Sequence, residues 1–151
     1  MARSKPPTTP EEYSQARLDR VLDAIWAVES GRRKSDVPDG DGGLAIGPFQ
    51  IHKAYWQDAA EFDRTLLLVQ SLDSVRFYDR ANPYKDCRNY DYARRVVIAY
   101  GRRYKTLDAC GRLPDSAGAE ERFARTHNGG PKGATKAATL DYWRKVLAAM
   151  R

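Results

Sequence analysis

Five apolar residues, Leu18, Val21, Leu22, Ile25 and Trp26, fall at steps of three and four, and the chain after them breaks into glycine and aspartate. Steps of three and four place side chains on one face of a helix. Thr9-Pro10-Glu11-Glu12 supplies the start of that helix: threonine caps, proline fits the first turn, and acids favour the positive end. Glu29 lies four residues after Ile25 and three after Trp26, so the apolar face ends on a carboxyl group.

An ionised carboxylate on an apolar face is costly. Desolvation favours its neutral acid, which is the property a proton donor to a poor leaving group needs. The plainer alternative is a helix-end glutamate that rotates into solvent.

Residues 30–47 contain Gly31, Pro38, Gly40, Gly42, Gly43 and Gly47, with Asp36, Asp39 and Asp41 among them. This is turn chemistry, and it predicts a short β-hairpin or ribbon. A polar loop keeps an aspartate ionised, opposite to the tendency at Glu29. Two carboxyl groups with opposed tendencies are what a glycosidase requires. Equally, the three aspartates fit as ordinary turn residues.

A second helix is expected from about Pro48, carrying Phe49, Ile51, Tyr55 and Trp56. Leu66-Leu67-Leu68-Val69 is compatible with a buried helical turn or a short strand. The spacing of Tyr92, Val96, Val97, Tyr100 and Tyr104 predicts a helix from about Asp91 to Tyr104, with Arg94, Arg95, Arg102 and Arg103 largely off its apolar stripe. A short helix is expected over Ser116 to Thr126 with Phe123 inward, then a turn at Asn128-Gly129-Gly130-Pro131. The last helix, about Thr139 to Met150, is expected to bury Leu140, Trp143, Val146, Leu147 and Met150. Residues 1–8 are expected to form a disordered basic tail.

The formal net charge is +6, which attracts polyanions such as nucleic acid, an anionic membrane or an acidic cell wall. No nucleic-acid signature accompanies it, and the aromatic residues fall mostly on core stripes, so no nucleic-acid partner is expected. No run approaches the ~18 apolar residues of a membrane span, so no stable membrane insertion is expected. No phosphate-binding loop, dinucleotide fingerprint or zinc-protease helix is present, and Cys87 and Cys110 lack zinc-ligand spacing. No cofactor or metal is therefore expected. Sequence leaves open whether the two cysteines pair. The N-terminus lacks the apolar centre of a signal peptide, leaving secreted, periplasmic or lysin-like action open. Nothing argues for more than a monomer.

Four blocks in order carry a resemblance. Val28-Glu29-Ser30-Gly31 resembles the catalytic-glutamate motif of the invertebrate-type, destabilase-like lysozymes. Ile46-Gly47-Pro48-Phe49-Gln50-Ile51 with Tyr55-Trp56-Gln57-Asp58-Ala59 resembles that family's next block, and Phe123-Ala124-Arg125-Thr126-His127-Asn128-Gly129-Gly130-Pro131-Lys132-Gly133 its late signature. Thr139-Leu140-Asp141-Tyr142-Trp143 resembles its closing helix. The resemblance implies a mainly α (α+β) lysozyme-like domain over 9–151, with a small β-hairpin flanking a substrate cleft.

It also implies hydrolysis of the β-1,4 bond between N-acetylmuramic acid and N-acetylglucosamine in peptidoglycan, hence an antibacterial, wall-degrading enzyme. Glu29 matches the family's general acid, and Asp41 best matches its second carboxylate, with Asp39 as the alternative. Gln50, Tyr55, His127 and Asn128 are the expected substrate-binding residues. Animal members are rich in cysteine, whereas this chain has two. Some members are credited with isopeptidase activity, but no dyad in this sequence compels it. Three rivals are a lytic transglycosylase using Glu29 alone, a catalytically silent peptidoglycan-binding module, and a cationic protein that kills by charge.

Overall fold

A computed structural model describes residues 4–68 and 83–151. The first helix, α1, spans Pro10–Ser30. Its start is a capping box: the Thr9 side chain accepts from the Glu12 N–H, and the Glu12 carboxylate accepts from the Thr9 N–H. Each satisfies a backbone group that a helix end otherwise leaves unpaired. α1 ends at Gly31, which takes the left-handed conformation (φ 63°) that glycine adopts without a side-chain clash. Leu18, Val21, Leu22 and Ile25 are buried, as their spacing predicts, and Trp26 is half-buried.

Four further α-helices lie among the described residues: α2 (Lys53–Phe62), α3 (Tyr90–Arg103), α4 (Ala119–Gly129) and α5 (Leu140–Ala149). They pack α2 on α3, and α5 on α1 and α4. One continuous core results, with Leu22, Phe49, Val96, Phe123 and Val146 among its fully buried members. Burying each such side chain contributes about 1.5–3 kcal/mol. No helix among the described residues is long and apolar enough to cross a membrane.

The hairpin sits later than the glycine pattern suggests. Its strands are β1 (Ala45–Ile46) and β2 (Ile51–His52), antiparallel, with Ala45 opposite His52 and Ile46 opposite Ile51. Pro48 therefore starts no helix. It lies in the reversal between the strands, flanked by Gly47 (φ 76°) and Gln50 (φ 49°), both left-handed. The Gln50 N–H closes the turn on the Gly47 carbonyl. Gly40 bridges Ala45, which brings the loop before β1 alongside the hairpin.

One open alternative is decided and two other expectations are corrected. Residues 64–67 form a 3₁₀ turn in which Leu66 is buried while Leu67 is exposed, as is Leu68 after it; Val69 falls outside the described residues. α4 starts at Ala119 rather than Ser116 and runs through Asn128 and Gly129, so the turn begins at Gly130. In α5 only Val146 is buried; Leu140 is exposed, and Trp143, Leu147 and Met150 are half-buried, because this helix lies at the surface of the bundle.

Candidate active site

Glu29 occupies the last turn of α1, where the chain turns toward the hairpin. Ser30, its neighbour, donates from Oγ to the Pro48 carbonyl at 2.9 Å, tying the helix end to the hairpin turn. The Glu29 side chain is 17% exposed. Its Oε1 accepts a hydrogen bond from the Tyr142 hydroxyl on α5 at 2.9 Å and lies 3.4 Å from His127 Nε2 on α4. His127 is buried, and its Nδ1 lies 2.9 Å from the Tyr55 hydroxyl on α2.

His127 thus stands between Tyr55 and Glu29, with one ring nitrogen toward each. Burial, then the Glu29 charge, pushes the Tyr142 phenol well above its ordinary range; burial and the Tyr100 ring do the same to Tyr55. Both phenols therefore stay neutral donors. The Tyr142 hydroxyl and His127 Nε2 both approach the same oxygen of Glu29.

The carboxyl group faces a cleft of about 680 Å³. Asp41 lines the cleft from the hairpin side, as the first residue of a short 3₁₀ turn (Asp41–Gly43). It adopts a left-handed backbone (φ 50°) that aspartate tolerates better than most side chains. Its carboxylate is 66% exposed and 3.3 Å from His52 Nε2. Asp39 is engaged elsewhere. Arg88 grips it through two hydrogen bonds of 2.6 and 3.2 Å, and those bonds hold its carboxyl below the usual range.

Gln50, Tyr55, His127 and Asn128 all line the same cleft. Their duties differ from the expectation of a simple wall. The Gln50 amide donates to the Pro38 and Gly47 carbonyls, bracing the loop before the hairpin. Tyr55 stacks on Tyr100 with ring centroids 3.7 Å apart and spends its hydroxyl on His127. His127 in turn faces Glu29. Asn128 is exposed at the lip.

The destabilase family profile matches residues 19–149. The chain is 30% identical over 128 residues to a lysozyme of Meretrix lusoria, covering 84% of this chain and 85% of that protein. It is 32% identical to a lysozyme of Magallana gigas, covering 83% and 74% respectively. It is also 32% identical to invertebrate-type lysozyme 6 of Caenorhabditis elegans, covering 83% and 81%. The chain belongs to the destabilase family of invertebrate-type lysozymes. It is a lysozyme-type glycoside hydrolase.

This lysozyme has two free thiols: Cys87 is buried and Cys110 exposed. Burial pushes the Cys87 thiol strongly up. Sequence reasoning missed Tyr142 and His52 as members of the lysozyme site. Tyr142 reads as one more aromatic on an amphipathic helix. Its place inside the closing block of the resemblance was the available signal. His52 has no local cue; it meets Asp41 only because Gly40, Ala45 and His52 lie side by side across the hairpin.

Proposed function

We propose that this lysozyme hydrolyses the β-1,4 bond between N-acetylmuramic acid and N-acetylglucosamine in peptidoglycan by a retaining mechanism. Glu29 protonates the glycosidic oxygen. Asp41, beside His52, attacks or stabilises the developing oxocarbenium ion. Water then completes the reaction, with Glu29 acting as base. The formal net charge of +6 aids capture of an anionic wall.

The observation that carries this reading is the half-buried Glu29 carboxyl, hydrogen-bonded by Tyr142 and approached by His127, with Asp41 lining the same cleft. A transglycosylase needs no second carboxylate, whereas an aspartate beside a histidine suits a charged partner to the sugar cation. A silent binding module gives no reason to hold a tyrosine hydroxyl and a histidine against a glutamate. The test is digestion of purified peptidoglycan with mass spectrometry of the products. Muropeptides with reducing ends are expected. Anhydro-muramic ends would replace hydrolysis with transglycosylation, and intact glycan with retained wall binding would indicate a binding module.

A further inference from the structure

Asp41 stands on a backbone that does little to aim it. It lies between Gly40 and Gly42, and Asp41, Gly42 and Gly43 all take left-handed conformations (φ 50°, 65° and 95°). Glycine on both sides leaves such a turn free to change shape, so a contact has to set the direction of the carboxylate. Among the described residues, the side chain that reaches it is His52, whose Nε2 lies 3.3 Å from Asp41 Oδ2. Asp39 is held differently: Arg88 engages both of its oxygens. His52 touches one oxygen of Asp41 and leaves the other without a protein partner.

No other duty occupies the His52 ring. His52 is the N-cap of α2, a position where serine, threonine, aspartate or asparagine would accept a backbone N–H. Its side chain accepts none, and it is 47% exposed, so neither capping nor packing calls for an imidazole. The hairpin fixes where it stands. His52 pairs with Ala45, which Gly40 also bridges. The Tyr84 hydroxyl reaches the carbonyls of Ile51 (2.6 Å) and Leu44 (3.2 Å). It thereby clamps the residue before His52 to Leu44, whose N–H closes the Asp41 turn.

We infer that His52 is a positioning residue for Asp41: its imidazolium holds one carboxylate oxygen so that the other meets the anomeric carbon. This rests on the reading of Asp41 given above. His52 makes and breaks no bond. A carboxylate electron pair forms the new C–O bond, the glycosidic pair leaves with the departing oxygen, and that oxygen takes the Glu29 proton. Both partners are solvated, so the pair adds little to stability and acts on direction instead. The other titratable groups around it are Lys53 next in the chain, Tyr84 at the hairpin, and Glu29, Asp58 and His127 in the cleft. Among the described residues, Asp41 is the one within ion-pair distance of His52. Histidine changes charge between about pH 5 and 8. The assistance is therefore complete at the acid end and is lost as pH rises.

The experiment measures kcat and KM of the full-length protein on soluble peptidoglycan fragments across about pH 4 to 9, with thermal melting of each variant. His52→Gln keeps a polar side chain and removes the charge. Its kcat is expected to fall about threefold to fivefold at the acid end, with KM and melting temperature little changed, and to converge on wild type as pH rises. His52→Lys should recover most of the loss and hold its kcat to higher pH than wild type. Glu29 gives every one of these proteins an alkaline limb of its own, so the difference between profiles is what reports His52. A folded His52→Gln protein with wild-type kcat, or one altered only in KM, would overturn the positioning role. So would a lysine variant that recovers nothing. Asp41→Asn separates the two readings: if it cuts as fast as wild type, or if wild type releases no reducing ends, the assignment of Asp41 or of the glycosidase itself fails first.

Discussion

The Tyr142 hydroxyl donates to Glu29 Oε1 at 2.9 Å, joining the last helix to the first across 113 positions of sequence. His127 Nε2 lies 3.4 Å from the same oxygen. Tyr142→Phe removes the donor and keeps the ring. A hydrogen bond to a carboxyl group is worth about 1.5–3 kcal/mol, so kcat on peptidoglycan should fall ~10–100-fold with the melting temperature little changed. Because burial raises the Tyr142 phenol well above its ordinary range, the bond should persist at alkaline pH. Spectrophotometric titration should then find tyrosines in wild type that ionise later than a free phenol, one fewer in the variant.

His127 and Tyr142 act on the same oxygen, so their effects should not add. The variant with both Tyr142→Phe and His127→Asn is expected to lose less activity than the product of the two single losses. Steady-state rates of the four proteins form the cycle. Full additivity would mean that the two side chains act on separate things.

Asp39 and Arg88 hold the loop before the hairpin. Their hydrogen bonds lower the Asp39 pKa in the folded protein. A depressed carboxylate contributes stability above its unfolded pKa of about 4, and that stability disappears as pH falls through the lower folded value. Asp39→Asn should therefore melt below wild type at pH 7 and approach it in strong acid. Melting curves across pH 2–7 check the convergence. Activity at pH 7 should survive better than in Asp41→Asn, since Asp39 is not among the cleft residues.

Gly47 (φ 76°) lies against the Cys87 backbone. A Cβ at Gly47 would come 1.9 Å from the Cys87 carbonyl oxygen, so Gly47→Ala has no room. Strain and clash together should cost about 3–5 kcal/mol, read by urea denaturation. The thiols give a matching probe: a thiol reagent should modify exposed Cys110 in the native protein and buried Cys87 only on unfolding. In a folded Gly47→Ala protein, Cys87 should react faster than in wild type.

Much of this was legible in the sequence because apolar spacing is local. The stripe from Leu18 to Trp26, the carboxyl at its end and the core of α3 all follow from period alone. The hairpin was displaced because a proline commonly opens a helix, and Pro48 looked like one. What decides otherwise is the left-handed backbone at Gly47 and Gln50, a property of the turn as a whole. Gly129 reads as a break in the sequence, yet it ends α4 where a Cβ would come 2.5 Å from Thr139 Cγ2. There the glycine serves close packing against the turn before α5. Tyr142 and His52 joined the site through long-range docking and strand register, which no local pattern encodes.

The central claim is that Glu29 is the proton donor, and Glu29→Gln tests it most directly. The amide keeps the shape and an acceptor for Tyr142 but has no acid proton to give. Rates of release of reducing ends from purified peptidoglycan should be measured for wild type and variant at matched, folded concentrations. A loss of about a hundredfold or more with an unchanged melting temperature is the predicted result. A folded Glu29→Gln protein that cleaves at the wild-type rate would contradict it.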